Sequence, residues 1–225
     1  TDYIRVLDRS GYFETVTLSE DDLKRNDMYR ANAQRAKAQS RFADYHDYLL
    51  SLEMTAEIGD FSPLYLQRIT QLTNKSNQFN LTTKRYTAEQ MEAVYNSDEY
   101  IRLYGKLYDK FGDNGVVAVT IGKTDSEDKG RLDIELWLMS CRVLKRDMEL
   151  AMLDSLVEQA KKRGIREIYG HYYPTAKNKM VAGLYESFGF EKISQDEDGN
   201  TAWRLLVEGY EDKNTVIKVK EEHYA

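Results

Sequence analysis

Two hydrophobic rhythms divide the chain, and the change comes near residue 80. Beyond it, Ile101, Leu103, Gly105, Leu107 and Asp109 alternate with Tyr100, Arg102, Tyr104, Lys106 and Tyr108. A period of two predicts a strand with one drier face. Asp113-Asn114-Gly115 signals a turn, Val116–Ile121 the next strand, 123–130 a polar loop, and Leu132–Cys141 a third strand. Met148, Met152, Leu153, Leu156 and Ala160 then repeat at three and four residues, predicting a helix from about Asp147 to Arg163 that stops at Gly164. Arg166–Tyr173 reads as a strand ended by Pro174, and Lys179–Phe188 as a short helix closed by Gly189. Glu191–Ser194 and Thr201–Val207 read as a hairpin around Asp198-Gly199, and Val216, Ile217 and Val219 can add an edge strand.

Before residue 80 the pattern is helical. Ser19-Glu20-Asp21-Asp22 is an acidic helix start, suited to the positive end of a helix. Tyr45, Tyr48, Leu49, Leu52 and Ile58 continue near helical spacing, so residues 1–60 read as a helical extension. Ser62 and Pro63 open another helix, with Leu64, Leu66, Ile69 and Leu72 as its buried face. Asn80–Tyr86 reads as a short strand, and Thr87 with Gln90 as a capping box for a helix ending near Asn96. The order from residue 80 is strand, helix, three strands, helix, strand, helix, two strands. An α/β (α+β) domain over 61–225 follows, with a mixed sheet between helices on both faces.

Composition narrows the classes. The 225 residues carry 32 basic and 38 acidic side chains, a net charge of −6, which argues against general nucleic-acid binding. No apolar run approaches the roughly 18–20 residues that span a bilayer, and no signal peptide opens the chain. A single cysteine, Cys141, excludes an internal disulfide framework and suits the cytoplasm. His46, His171 and His223 are scattered, so no metal site is expected.

The element order resembles the GNAT acetyltransferase fold, which implies a mostly antiparallel sheet of about six or seven strands. Leu138-Met139-Ser140-Cys141-Arg142-Val143-Leu144, running into a helix, looks like that fold's acyl-donor strand and phosphate-binding loop. Asn178 followed by Leu184-Tyr185-Glu186-Ser187-Phe188-Gly189-Phe190 looks like its helix bearing a tyrosine that protonates a departing thiolate. Longer strings are similar to one branch, the FkbH-like proteins. They are the run Arg68–Thr83, with Asn77-Gln78-Phe79-Asn80-Leu81-Thr82-Thr83 at its end, then Phe111-Gly112-Asp113, Ser140–Leu144 and Pro174-Thr175-Ala176-Lys177-Asn178. Gly11-Tyr12-Phe13-Glu14, with Asp22, Arg25 and Tyr29, resembles the end of that family's HAD-type phosphatase domain. The resemblance implies a chain cut from an upstream HAD-type domain. It also implies help in loading a glyceryl-type unit onto an acyl carrier protein, toward methoxymalonyl-type building blocks. No Asp-x-Asp motif on a strand, as the HAD chemistry needs, is found in this sequence.

Each candidate has two readings. Tyr185 is a general acid or a core aromatic beside Val181, Leu184 and Phe188. Cys141 is a nucleophile at a helix start or, as we mainly read it, a small packed side chain. Asn77, Asn80, Thr82 and Thr83 can bind a hydroxylated substrate or pantetheine amides, or satisfy backbone groups at a buried turn. Asn178 can touch the donor or cap the helix beside it. For the donor phosphate the sequence offers Arg142, Val143, Leu144, Lys145 and Arg146. The resemblance expects small residues where Lys145 and Asp147 stand. Side chains there are expected to disfavour positive φ, and Asp147 to cap the helix. The implied ligand is a carrier's phosphopantetheine, with coenzyme A or acyl-CoA held weakly.

Overall fold

The computed structural model describes residues 20–221. The chain divides after Ala43 into two units. The first contributes α1 (Glu20–Gln39), which begins in the acidic run expected to start it. Gly11–Glu14 lies outside the described residues.

The second unit opens with α2 (Tyr45–Ser51), capped by the Asp44 carboxylate, which accepts the Asp47 N–H at 3.1 Å. The expected helical run then breaks, because Thr55–Gly59 forms a strand, β1. Its alternating burial puts Ala56 and Ile58 in the core, a pattern too short to stand out from the helical stripe around it. There follow α3 (Pro63–Lys75), β2 (Phe79–Asn80), α4 (Ala88–Tyr95), β3 (Tyr100–Asp109), β4 (Gly112–Thr124) and β5 (Arg131–Met139). After them come α5 (Met148–Lys162), β6 (Glu167–Tyr172), the single turn α6 (Leu184–Ser187), β7 (Glu191–Gln195), β8 (Thr201–Leu206) and β9 (Lys218–Glu221). The order expected from residue 80 is observed, except that the strand expected over Asn80–Tyr86 is only the two residues Phe79–Asn80, and the Thr87–Gln90 capping box forms. The expected helix over 179–188 is a 3-10 turn at Lys179–Val181 and then α6, with Gly183 at the break. Leu64, expected on the buried face of α3, is 78% exposed.

Nine strands form one sheet in the order β7-β8-β6-β5-β4-β3-β1-β9, with β2 beside β5. The strands beyond the six or seven expected are short ones. Among the described residues only β5–β6 and β1–β9 pair in parallel. Register assigns the two faces. Tyr104, Val119 and Leu138 lie opposite one another across β3, β4 and β5, and they pack with Ile69 and Leu72 of α3 and Met91 and Val94 of α4. The other face carries Gly105, where a Cβ would stand 2.3 Å from Met148 Cε of α5. It also carries Thr120, Trp137 and Gly170, the last lying under the ring of Tyr185 from α6. Among the described residues no helix is long and apolar enough to cross a membrane.

A β-bulge at Glu135 interrupts the β4–β5 register, since Ile121 pairs with Leu136 while Gly122 pairs with Ile134. The bulge sits where β5 leaves β6. Their parallel pairing lasts only from Arg131/Glu167 to Asp133/Tyr169, although both strands continue. Past it they part and leave a wedge, and the candidate site lies around that wedge.

Candidate functional site

The wedge is filled by the chain itself. Phe79 and Asn80 pair antiparallel with Met139 and Leu138. Leu81 N–H donates to the Trp137 carbonyl at 3.1 Å, and Thr82 Oγ1 to the Glu135 carbonyl at 2.7 Å. On the far side, Tyr173 N–H donates to the Leu81 carbonyl at 2.9 Å. Residues 79–82 thus act as an inserted strand joining β5 to the end of β6. They satisfy backbone groups that the parting of the two strands would leave unpaired.

Asn178, fully buried, holds the insert. Its Nδ2 donates to the carbonyls of Asn80 and Tyr173, each at 2.9 Å. Its Oδ1 accepts from Thr175 N–H at 2.7 Å and from Thr175 Oγ1 at 3.0 Å. It makes no helix cap, because both ends of its amide are already engaged. Asn80 Oδ1 accepts Thr83 N–H at 2.9 Å and helps hold Thr83 at φ 57°. Asn77 Oδ1 accepts from Arg85, which also reaches the carbonyls of Thr73 and Ser76. The polar groups of Asn77, Asn80, Thr82 and Asn178 therefore serve the turn and the insert.

The loop after β5 adopts a conformation that the sequence argued against. Lys145 and Asp147 take φ 63° and 59°, the left-handed region, at the two positions where small residues were expected. Neighbours hold them there. Tyr45 OH donates to the Lys145 carbonyl at 2.6 Å. Arg146, between them, is pinned by Asp109 at 3.1 Å and the Arg142 carbonyl at 3.0 Å. Asp147 makes no side-chain cap bond to α5. A capping side chain works from an extended residue, and the left-handed turn carries this carboxylate away from the first N–H groups. Of the three cations expected near a phosphate, buried Arg146 is committed to Asp109. Arg142 is half-buried with its Nε donating to Ser140 Oγ at 3.3 Å, Lys145 is exposed at the loop surface, Val143 is packed in the core and Leu144 is half-buried. Burial raises the Asp147 carboxyl, with His46 pulling the other way. Burial lifts Glu149, in the first turn of α5, to about 7, and its Oε2 has no partner.

Cys141 was expected to pack, yet its thiol is exposed. Ser140 and Val143 on either side turn inward instead, as the chain leaves the strand through a 3-10 turn. Tyr185 is buried, 1% exposed, against Gly170, Phe190 and Trp203. Burial pushes its phenol well above the ordinary range, with only the His171 backbone amide opposing. Its hydroxyl lies by the His171 backbone amide without a well-formed hydrogen bond, and Trp137 Nε1 and Thr120 Oγ1 on the same face have no partner. Buried polar groups of this kind ordinarily hold a water.

The structure also assembles a group that sequence reasoning missed. On the face opposite Tyr185, His171 Nε2 lies 3.3 Å from Asp133 Oδ1, and both side chains are about a quarter exposed. Arg131 grips the same carboxylate through Nε and a terminal nitrogen, at 2.8 and 2.7 Å. Burial alone would raise the Asp133 pKa, but the bonds from His171 and Arg131 outweigh it and lower it. The Tyr173 ring stacks on the imidazole with centroids 6.3 Å apart. One bulge away, Glu135 accepts Lys84 Nζ at 2.5 Å and Tyr86 OH at 3.1 Å. The period-two polar positions of both strands carried this signal, but the short parallel pairing that joins them is not visible in sequence.

No family model and no curated protein sequence matches the chain. Solved structures do. The ribosomal-protein-S18-alanine N-acetyltransferase of Escherichia coli superposes with TM-score 0.51 at 14% identity, over 72% of this chain and 99% of that one. The chain has the GNAT fold. A GNAT acetyltransferase of Streptococcus pneumoniae matches at TM-score 0.51 and 18% identity, over 67% of this chain and 99% of its own. The protein yncA of Salmonella typhimurium, solved with its cofactor acetyl-CoA, matches at 0.51 and 14%, over 70% and 96%. Identities this low carry the fold and not the chemistry. Within this GNAT fold, the strand to which the resemblance assigns the acyl donor is β5, and its open edge carries the inserted residues 79–82.

Proposed function

We propose that this chain is an acyl-transfer domain of an FkbH-like protein, working on a thioester carried by the phosphopantetheine of an acyl carrier protein. The observation that supports this reading most is the loop 140–147. Two left-handed residues lead into a helix whose N-terminus lacks a side-chain cap, an arrangement that favours an anion. The residues there suit one phosphate better than a pyrophosphate. Arg146 is engaged elsewhere, and Asp147, with Glu149 ionised only in part near neutral pH, opposes further negative charge beside the helix start. The FkbH-like resemblance adds a glyceryl-type acyl unit, a methoxymalonyl-type product and an upstream HAD-type domain as the partner.

The residues of this chain would divide the work simply. Arg142 and Lys145 would hold the phosphate of the carrier's arm by charge-assisted bonds. Bound, the arm supplies the thioester. Calorimetry tests the reading with the phosphopantetheinylated carrier and, separately, acetyl-CoA. A glyceryl-loaded carrier followed by mass spectrometry then reports transfer. Binding of the carrier form with weak or no binding of acetyl-CoA supports the reading. Micromolar acetyl-CoA with an indifferent carrier refutes it.

A second reading is a docking module that presents the carrier thiol to the HAD-type domain and does no chemistry. The insert along β5 and the buried Tyr185 hydroxyl favour it. Carrier binding without any thioester turnover would select it.

A further inference from the structure

We propose that His171, oriented by Asp133, is the proton acceptor for a hydroxyl or thiol nucleophile that reaches the wedge from the α3/α4 face of the sheet. This rests on the acyl-transfer reading and names the group that would activate the acceptor. Three observations carry it. The imidazole Nε2 is 3.3 Å from Asp133 Oδ1, and that carboxylate is fixed from its other side by a two-pronged bond from Arg131. A carboxylate held in this way orients a histidine and favours the tautomer with its proton on Nε2, which leaves Nδ1 able to accept. The pair sits where β5 and β6 part. Asp133 belongs to the last parallel pair, and Tyr173, two residues after His171, bonds the insert. Finally, both side chains reach solvent, while Gly170 and Tyr172 between and beside them point into the core. An acceptor can therefore approach this face without displacing the helix that buries Tyr185.

The step balances as an acyl transfer. The acceptor oxygen or sulfur forms a bond to the thioester carbonyl carbon as its proton passes to His171 Nδ1. The carbon–sulfur bond breaks, and the departing thiolate takes a proton from the imidazolium or from water. Nothing is oxidised or reduced. Asp133 and Tyr173 touch the imidazole, and the other charged and titratable groups on this face of the sheet are Arg131 and Glu135 on β5, Glu167 and Tyr169 on β6, Arg204 on β8 and Lys84 after the insert.

Two measurements on the whole chain decide the matter. In the first, nitrogen-15 NMR follows the His171 ring through pH in the wild type and in Asp133→Asn. We expect the Nε2-protonated tautomer in the wild type and loss of that preference in the variant. An Nδ1-protonated ring, or a tautomer balance unmoved by the substitution, overturns the dyad whatever the chain's activity. The second measurement follows acyl transfer from a glyceryl-loaded carrier against pH. His171→Gln should lower kcat by about 100-fold or more, with KM within a few fold, and remove the acidic limb of the profile. Asp133→Asn should lower kcat with KM nearly unchanged. Unchanged turnover in a folded His171→Gln protein overturns the proposal and leaves the acyl-transfer reading standing. A wild type that binds carrier without turnover removes that reading, and with it the catalytic role.

Discussion

Replacing Glu149 by Gln should stabilise the protein, and the gain should depend on pH. The carboxyl sits in the first turn of α5, mostly buried, with one oxygen unpartnered, and burial lifts its pKa from 4.5 to about 7. Below pH 4.5 the group is protonated in both the folded and unfolded chains, so it contributes no difference. Between 4.5 and 7 the unfolded chain releases the proton and the folded chain keeps it, so stability falls as pH rises. Above 7 the loss is complete. A shift of about 2.5 units corresponds to roughly 3 kcal/mol at about 1.36 kcal/mol per unit. A carboxylate near a helix N-terminus gains up to about 1 kcal/mol that Gln forgoes, which leaves a net gain near 2 kcal/mol. Urea denaturation of both proteins at pH 5, 6, 7 and 8 measures it. The two stabilities should converge toward pH 4.5 and separate to about 2 kcal/mol at pH 8, with the variant higher. A gap of constant size, or a less stable variant at pH 8, would show that Glu149 is solvated or paired and that the burial argument is wrong.

Three further substitutions probe the site. Gly170→Ala puts a methyl within 2.3 Å of the Tyr185 ring and should cost about 2–3 kcal/mol in denaturant melts, with Tyr185→Leu relieving most of it. Lys145→Gly relieves a left-handed side chain worth about 1–2 kcal/mol against an entropy loss of about 0.5–1 kcal/mol, so a gain of up to about 1.5 kcal/mol is expected in melting experiments; a clear loss would show that the lysine side chain holds the loop. Cys141→Ala should leave stability within about 0.5 kcal/mol, and the wild-type thiol should react fully with a thiol reagent in the folded protein, whereas a protected thiol would contradict its exposure.

The parts of the fold that follow local rules were readable in the sequence. The Thr87 capping box, the 3.6-residue stripe of α5 and the two-residue alternation of β3 each depend on residues within a few positions of one another, and all appear as expected. What escaped reading depends on distant partners. Thr55–Gly59 becomes a strand because β3 and β9 lie on either side of it. Lys145 and Asp147 accept positive φ because Tyr45, 100 positions upstream of Lys145, and Asp109 hold the loop between them. The Asn and Thr run 77–83 was conspicuous, but whether it faces a ligand or the chain's own backbone is decided by β5 and Asn178, which no local pattern shows. His171 and Asp133 meet for the same reason, across a parallel pair of three residues.

The insert between β5 and β6 also has a consequence for the order of assembly. Residues 79–82 find one set of partners in Glu135–Met139 and the other in Tyr173 and Asn178, and Asn80 is 98 positions from the side chain that clamps it. Closing loops of that length is slow relative to forming a helix or a hairpin. On a ribosome the segment must wait until the whole of β6 and the turn after it have emerged. It therefore joins the sheet after β3, β4 and β5, though before β9 can pair with β1. Substitutions at Asn178 should speed unfolding while leaving the refolding rate nearly untouched, the mark of contacts made after the transition state.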